Sequence, residues 1–295
     1  MSVTHDIHCL IDARHELGEG ATWDERTNRL LWCDIKGCAI HAYDWASGEQ
    51  QVWSFPDTIG SFGLTEDGRF IVARRNSVVL FDPQSGEEIH IADIEKDNEH
   101  TRTNDGKVGP DGAFWVGTMH DHKPREPLGA LYRVTVDGSV TKIVDGLYVS
   151  NGLAWSPDGT RLYHADSSSG YVDIWDFDPA TGSAANRRRF VDLKNEDGRP
   201  DGATTDTEGN YWSAGVSAGV VNCFSPDGEL IEKVPFPVPR PTIPCFCGPD
   251  LDTLVVTSLR PGDDPALLEE HPMSGSLFAF KPGKRGLPPY RFRIS

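Results

Sequence analysis

The chain has 295 residues, with 28 Lys and Arg against 45 Asp and Glu, a formal net charge of −17. So acidic a surface lacks the electrostatic footprint that phosphate backbones and anionic lipid heads require, and neither nucleic acid nor a membrane is an expected partner. With 38% hydrophobic and 25% charged residues the composition is globular, and no run approaches the ~18–20 apolar residues of a membrane span.

The opening stretch, Met1-Ser-Val-Thr-His-Asp-Ile-His-Cys-Leu10, has no basic segment followed by an apolar one. A secretory signal is therefore not expected and a cytoplasmic location is. The six cysteines are accordingly read as reduced thiols, and their spacings do not match the C-x₂₋₄-C pairs of structural zinc sites. Cys245-Phe-Cys247 reads as one strand presenting two thiols to the same face.

Along the chain, a turn followed by a short apolar strand recurs. It runs from Trp23-Asp-Glu-Arg-Thr-Asn-Arg-Leu-Leu-Trp-Cys33 and Thr65-Glu-Asp-Gly-Arg-Phe-Ile-Val-Ala73 to Gly109-Pro-Asp-Gly-Ala-Phe-Trp-Val-Gly117 and Ser156-Pro-Asp-Gly-Thr-Arg-Leu-Tyr-His-Ala165. The last copies are Asp206-Thr-Glu-Gly-Asn-Tyr-Trp-Ser-Ala214 and Gly248-Pro-Asp-Leu-Asp-Thr-Leu-Val-Val-Thr257. The turn acids Asp24, Asp67, Asp111, Asp158, Glu208 and Asp250 are 43, 44, 47, 50 and 42 residues apart. A second turn follows each copy, as in Asp82-Pro-Gln-Ser-Gly86 and Ser225-Pro-Asp-Gly228. Glycine supplies the positive φ of such turns and proline pre-sets the preceding one. Pro265-Ala-Leu-Leu-Glu-Glu-His271 alone reads as a short helix. Two hairpins per unit, repeated six times at a period in the forties, predict an all-β fold. The expected form is a six-bladed β-propeller of four-stranded blades, a single domain over 1–295. A β-sandwich with coincidental turns would not keep one paired pattern from end to end.

In a propeller the mouth of the central channel is lined by the starts of the innermost strands, just before each first turn. There the sequence becomes polar. Asn104, Asn151 and Asp201 each precede their turn acid by seven residues, and Glu19 precedes Asp24 by five. Four oxygen-bearing side chains at equivalent places in a ring converge on its axis. Two carboxylates with amide oxygens make a hard-oxygen site for a divalent cation, whose charge compensates the buried acids. Taken singly, each Asx-Gly or Glu-Gly pair is equally a turn or bulge former.

The blocks Leu17-Gly-Glu-Gly20, Arg102-Thr-Asn-Asp-Gly-Lys107, Phe114-Trp-Val-Gly-Thr-Met119, Ser150-Asn-Gly152, Arg199-Pro-Asp-Gly202 and Thr242-Ile-Pro-Cys-Phe246 resemble the senescence marker protein, gluconolactonase and luciferin-regenerating enzyme (regucalcin-like) family. Gly117-Thr-Met-His-Asp121 and Pro244-Cys-Phe-Cys-Gly-Pro-Asp-Leu251 are most similar to its bacterial sugar lactonases. The resemblance implies a six-bladed propeller holding one divalent cation on Glu19, Asn151 and Asp201, with Ca²⁺ first among Mg²⁺, Mn²⁺, Zn²⁺ and Fe²⁺. It also implies Asp201 as general base and Arg102, Asn104 and Asp121 as substrate contacts. Thr103 and Cys247 depart from the family pattern, at positions commonly held by an apolar or Pro residue and by glycine.

For a sugar lactone the expected chemistry is polarisation of the carbonyl by the cation and attack by a water whose proton Asp201 takes. Arg102 carries five donors able to fork across hydroxyls or a carboxylate. His120 and His122, in the loop that contains Asp121, read as loop residues or substrate contacts rather than ligands. Three other readings stand beside this one. A calcium-binding propeller without catalysis is one, and hydrolysis of organophosphates is another. The third is a serine hydrolase built on Gly215-Val-Ser-Ala-Gly219, which requires a strand-to-helix turn at Ser217 where the sequence reads as strand to strand.

Overall fold

The computed structural model describes residues 5–295. Its strands form six four-stranded antiparallel sheets. The innermost strands, blade by blade, are Gly18–Asp24, Ile59–Leu64, Thr101–Val108, Ser150–Trp155, Pro200–Thr205 and Pro241–Cys247. Each packs beside the next, and the sixth packs beside the first, so the sheets close into a six-bladed propeller.

Burial grades from axis to rim. The inner strands of blades two and four are buried at every residue, whereas the outer strands Glu88–Asp93 and Ser183–Asp192 are largely exposed. The blades therefore pack face to face, and each of the six blade–blade interfaces carries its own apolar cluster. Between blades one and two it contains Leu31, Ile40, Phe62 and Phe70; between four and five, Tyr163, Val172, Tyr211 and Phe224. Burial of each such side chain is worth roughly 1.5–3 kcal/mol. Turn acids are tied into these clusters: the Trp115 indole donates to Asp111 Oδ1 at 3.1 Å and that of Trp212 to Asp206 Oδ2 at 3.0 Å. In these two blades the hairpin turn thus satisfies the one polar atom of the buried tryptophan.

Blade six differs from the repeat read in the sequence. The turn Lys281-Pro-Gly283 follows its third strand, but its fourth strand is His8–Ile11, which pairs antiparallel with Leu277–Phe280. Pairing segments from opposite ends of the chain in one sheet ties the ring closed through backbone hydrogen bonds. The segment after Gly283 instead forms bridges from Gly286 to Asp206 and from Phe292 to Thr65, burying Phe292 completely.

The helix Pro265–Glu270 forms as its sequence predicts. Proline opens it, and the Asp264 side chain accepts the Leu267 N–H at 3.1 Å. Among the described residues no helix is long and apolar enough to cross a membrane.

Candidate functional site

Every inner strand carries a register irregularity near its start. The breaks fall between Glu19 and Thr22, Ile59 and Ser61, Thr103 and Gly106, Asn151 and Ala154, Pro200 and Ala203, and Pro241 and Pro244. A β-bulge frees a residue from the ladder and re-aims its side chain. Here Gly60, Asn104, Asp201 and Thr242 fall within the irregularity, whereas Glu19 and Asn151 are the last paired residues before it, opposite Cys33 and Ala165. Gly20 and Gly152, next to two of them, adopt φ of 61° and 66°. A Cβ on Gly152 would lie 2.6 Å from the Tyr211 hydroxyl, so glycine is required on both counts. At the equivalent positions blades two and six carry neither a carboxylate nor an amide, but Gly60 and Thr242. Gly60 makes room for Thr103, and the Thr242 hydroxyl is spent on the Gly18 carbonyl at 2.6 Å.

Glu19, Asn104, Asn151 and Asp201 all line one cavity of about 420 Å³. Within it Asn104 Nδ2 donates to Asn151 Oδ1 at 3.1 Å and to the Ser150 carbonyl at 3.0 Å. Asn151 Nδ2 donates to Ser167 Oγ at 2.7 Å, so the amide is oriented from both sides and its oxygen keeps a second lone pair. Glu19 accepts one bond, from the Gly20 N–H at 3.1 Å. Neither acid has a salt-bridge partner among the described residues.

Burial, and then the charges of Asp201 and Asp105, raise the Glu19 carboxyl well above the usual carboxylate range. Burial and the Asp105 charge push Asp201 up to about 8. Asp105 stands beneath them, held by the Leu153 N–H at 3.0 Å, with the buried ammonium of Lys107 opposing its charge. One cation is too few for three buried acids. The arrangement fits a divalent cation in place of protons, and the donor set of two carboxylates and amide oxygens is that of a hard-oxygen site. Among the described residues no group of three or more His, Cys, Asp and Glu side chains is placed to hold a metal, so amide oxygens are needed to complete the set.

Arg102 is buried beside this group. Its Nη1 donates to Asn104 Oδ1 at 3.0 Å and to the Thr103 carbonyl at 2.8 Å, and its Nε to Asp121 Oδ1 at 2.9 Å. The other Asp121 oxygen takes a bond from Arg75 Nη2 at 2.9 Å. Asp121 therefore lies behind Arg102 and outside the cavity lining, clamped between two guanidinium groups.

His120 is buried at its strand end and accepts the Glu126 N–H at 2.8 Å. Its ring sits 6.2 and 5.8 Å, centroid to centroid, from those of His100 and His122. Ser217 occupies the turn between Tyr211–Gly215 and Val220–Phe224, where its Oγ accepts the Arg199 N–H at 2.9 Å. No helix follows it, so the nucleophile elbow is not formed. All six cysteines are free, and Cys247 is packed in the cluster between blades six and one.

The sequence reading missed Arg75, Asp105 and Lys107, and also Arg125, Arg199 and Arg240, which line the cavity mouth. Asp105 and Lys107 stand inside a block singled out for Asn104, and their burial was the missing signal. Arg199 likewise opens the block singled out for Asp201, whereas the other arginines have no motif to mark them.

Comparison with known proteins agrees with this architecture. Residues 17–260 match the family model described as the SMP-30/gluconolactonase/LRE-like region. The chain is 36% identical over 292 residues to regucalcin of Gallus gallus, covering 97% of this chain and 98% of that one. It is 36% identical over 275 residues to a 6-deoxy-6-sulfogluconolactonase of Pseudomonas putida, covering 92% and 94%. Among solved structures, a calcium-binding regucalcin of Agrobacterium tumefaciens superposes with a TM-score of 0.91 at 29% identity, over 99% of this chain and 98% of that one. With a family model spanning most of its length and relatives of such identity aligned nearly end to end, the chain belongs to the SMP-30/gluconolactonase/LRE-like family.

Proposed function

We propose that the protein hydrolyses a sugar lactone to the sugar acid with the help of one divalent cation held by Glu19, Asn151 and Asp201. The observation that carries this reading is the convergence of two buried, proton-retaining carboxyls with oriented amides at the bulges of four blades. A relative named for lactone hydrolysis supports the substrate class, and one named for calcium binding supports the cation.

A divalent cation held by Glu19, Asn151 and Asp201 would supply positive charge to polarise the lactone carbonyl. Arg102, fixed by Asp121 and Asn104, offers its remaining donors to substrate hydroxyls and orients the ring. Asp201, as carboxylate, accepts a proton from the attacking water while the water oxygen bonds to the carbonyl carbon. As the ring C–O bond breaks, the same carboxyl returns the proton to the departing alkoxide, leaving a hydroxy acid.

Calcium-binding without catalysis is the competing reading, and the buried Arg102 aimed at the same cavity favours an organic ligand over a cation alone. The test is a pH-stat assay of sugar lactones on chelated protein, with Ca²⁺, Mg²⁺, Mn²⁺, Zn²⁺ and Fe²⁺ restored singly and organophosphate triesters run alongside. The proposal expects lactone hydrolysis that chelation abolishes and at least one cation restores. Tight calcium binding with no lactone turned over would support the non-catalytic reading instead.

A further inference from the structure

Five cationic side chains line the cavity: Arg102, Lys123, Arg125, Arg199 and Arg240. In a chain of net charge −17 their gathering at one opening runs against the overall field. Three of them are compensated. Arg102 is bonded to Asp121, and Arg240 and Lys123 share Asp263 at 2.8 and 3.7 Å. Arg125 and Arg199 have no ion pair among the described residues.

The two arrive from different parts of the ring. Arg125 lies on the loop after Phe114–His120 in blade three, half-buried, with Nη1 donating to the His120 carbonyl. Arg199 stands two residues before Asp201 at the approach to the inner strand of blade five. Arg125 also feels the like charges of Arg102 and Arg199, with Asp121 opposing them. Arg125 is half-buried and Arg199 exposed, so two guanidinium groups without a carboxylate partner face one opening and are free to take an anion.

We propose that the substrate carries, besides its lactone, an anionic group that Arg125 and Arg199 bind at the cavity mouth. The inference rests on the lactone reading and narrows it to lactones of acidic sugars. The cavity, at about 420 Å³, is within the usual size for a small-molecule site, so ring and charged arm fit together. The planar fork of each arginine suits any oxyanion with two or more equivalent oxygens, whether carboxylate, sulfonate or phosphate. Neutral sugar lactones would leave both guanidinium groups unanswered.

The test compares kcat/KM for a neutral hexonolactone with that for hexonolactones bearing a carboxylate, a sulfonate or a phosphate at C6. At least one charged lactone should exceed the neutral one by about tenfold or more, a preference that weakens as salt is raised. The three charged arms show which anion the arginines accept. In the Arg125→Gln/Arg199→Gln protein the ratio should fall to within about threefold, whereas Arg125→Lys/Arg199→Lys should keep most of it. Equal rates on neutral and charged lactones in the unaltered protein would overturn the proposal, as would an equal loss on both in the Gln variant. If no lactone is turned over, the lactonase reading fails on its own. Calorimetric titration with an open-chain hexarate dianion and a hexonate then decides the arginine site. Tighter hexarate binding, lost in the Gln variant, supports it, and equal binding overturns it.

Discussion

The charge of Asp201, at the bulge of blade five, raises the proton affinity of the Glu19 carboxyl at the bulge of blade one. Two acids from different blades thus titrate as one site, and the proposed cation would compete with protons for the same oxygens.

Calcium binding should therefore release protons. Both carboxyls hold their protons above the usual range in the metal-free protein, Asp201 to about 8. Affinity should rise between about pH 6 and pH 8, and calorimetry in buffers of unequal ionisation enthalpy should show proton release at the lower pH. The same shifts fix the sign of a stability effect. A carboxyl whose folded pKa is raised stabilises the fold below its unfolded value, 3.8 for Asp201, and that contribution is lost as pH rises towards 8. Chelated protein should accordingly lose Tm over this window, and saturating Ca²⁺ should suppress the loss. A Ca²⁺ affinity independent of pH would contradict the coupling.

Arg102→Lys should lower kcat/KM on the lactone by about 10–100-fold, chiefly through KM, because a single ammonium cannot hold Asp121, Asn104 and substrate at once. Asp121→Asn acts only through Arg102 and should cost less, about 3–10-fold, with the same bias towards KM. Steady-state kinetics of the two variants check this. An equal loss in both, carried by kcat, would place Asp121 in contact with the reacting atoms instead.

Asp166 supports Asn151 from behind. Its carboxylate accepts the N–H groups of Tyr148 and Val149, both at 3.1 Å, and the Ser169 hydroxyl at 2.9 Å, fixing the approach to the inner strand of blade four. Asp34 does the same in blade one, accepting the N–H groups of Glu16 and Leu17. Hydrogen bonds to a charged group contribute about 1.5–3 kcal/mol each, so Asp166→Ala should cost roughly 2–4 kcal/mol by denaturant unfolding. It should also weaken calcium binding measurably, whereas loss of stability alone would limit Asp166 to the fold.

Much of the molecule was legible before any coordinates. The six turn acids mark the six inner hairpins, because turn chemistry is local and survives in the sequence as a motif. Glu19, Asn104, Asn151 and Asp201 were legible for a related reason, since the repeat transfers a position from one blade to the next. What escaped was non-local. The pairing of His8–Ile11 with Leu277–Phe280 joins opposite ends of the chain, and no turn announces it. The placement of Asp121 behind Arg102 depends on Arg75, a residue of blade two that only the packed ring brings near. Arg125 and Arg199 likewise become a pair only when blades three and five face one opening.

The most direct test is the rate of lactone hydrolysis by Asp201→Asn protein loaded with the activating cation. Asparagine keeps an oxygen donor and nearly the same shape but cannot accept the proton of water. The account predicts a loss of about 10²–10⁴-fold in kcat, with an unchanged circular dichroism spectrum and cation still bound. A folded, cation-loaded variant that hydrolyses the lactone at the unaltered rate would contradict it.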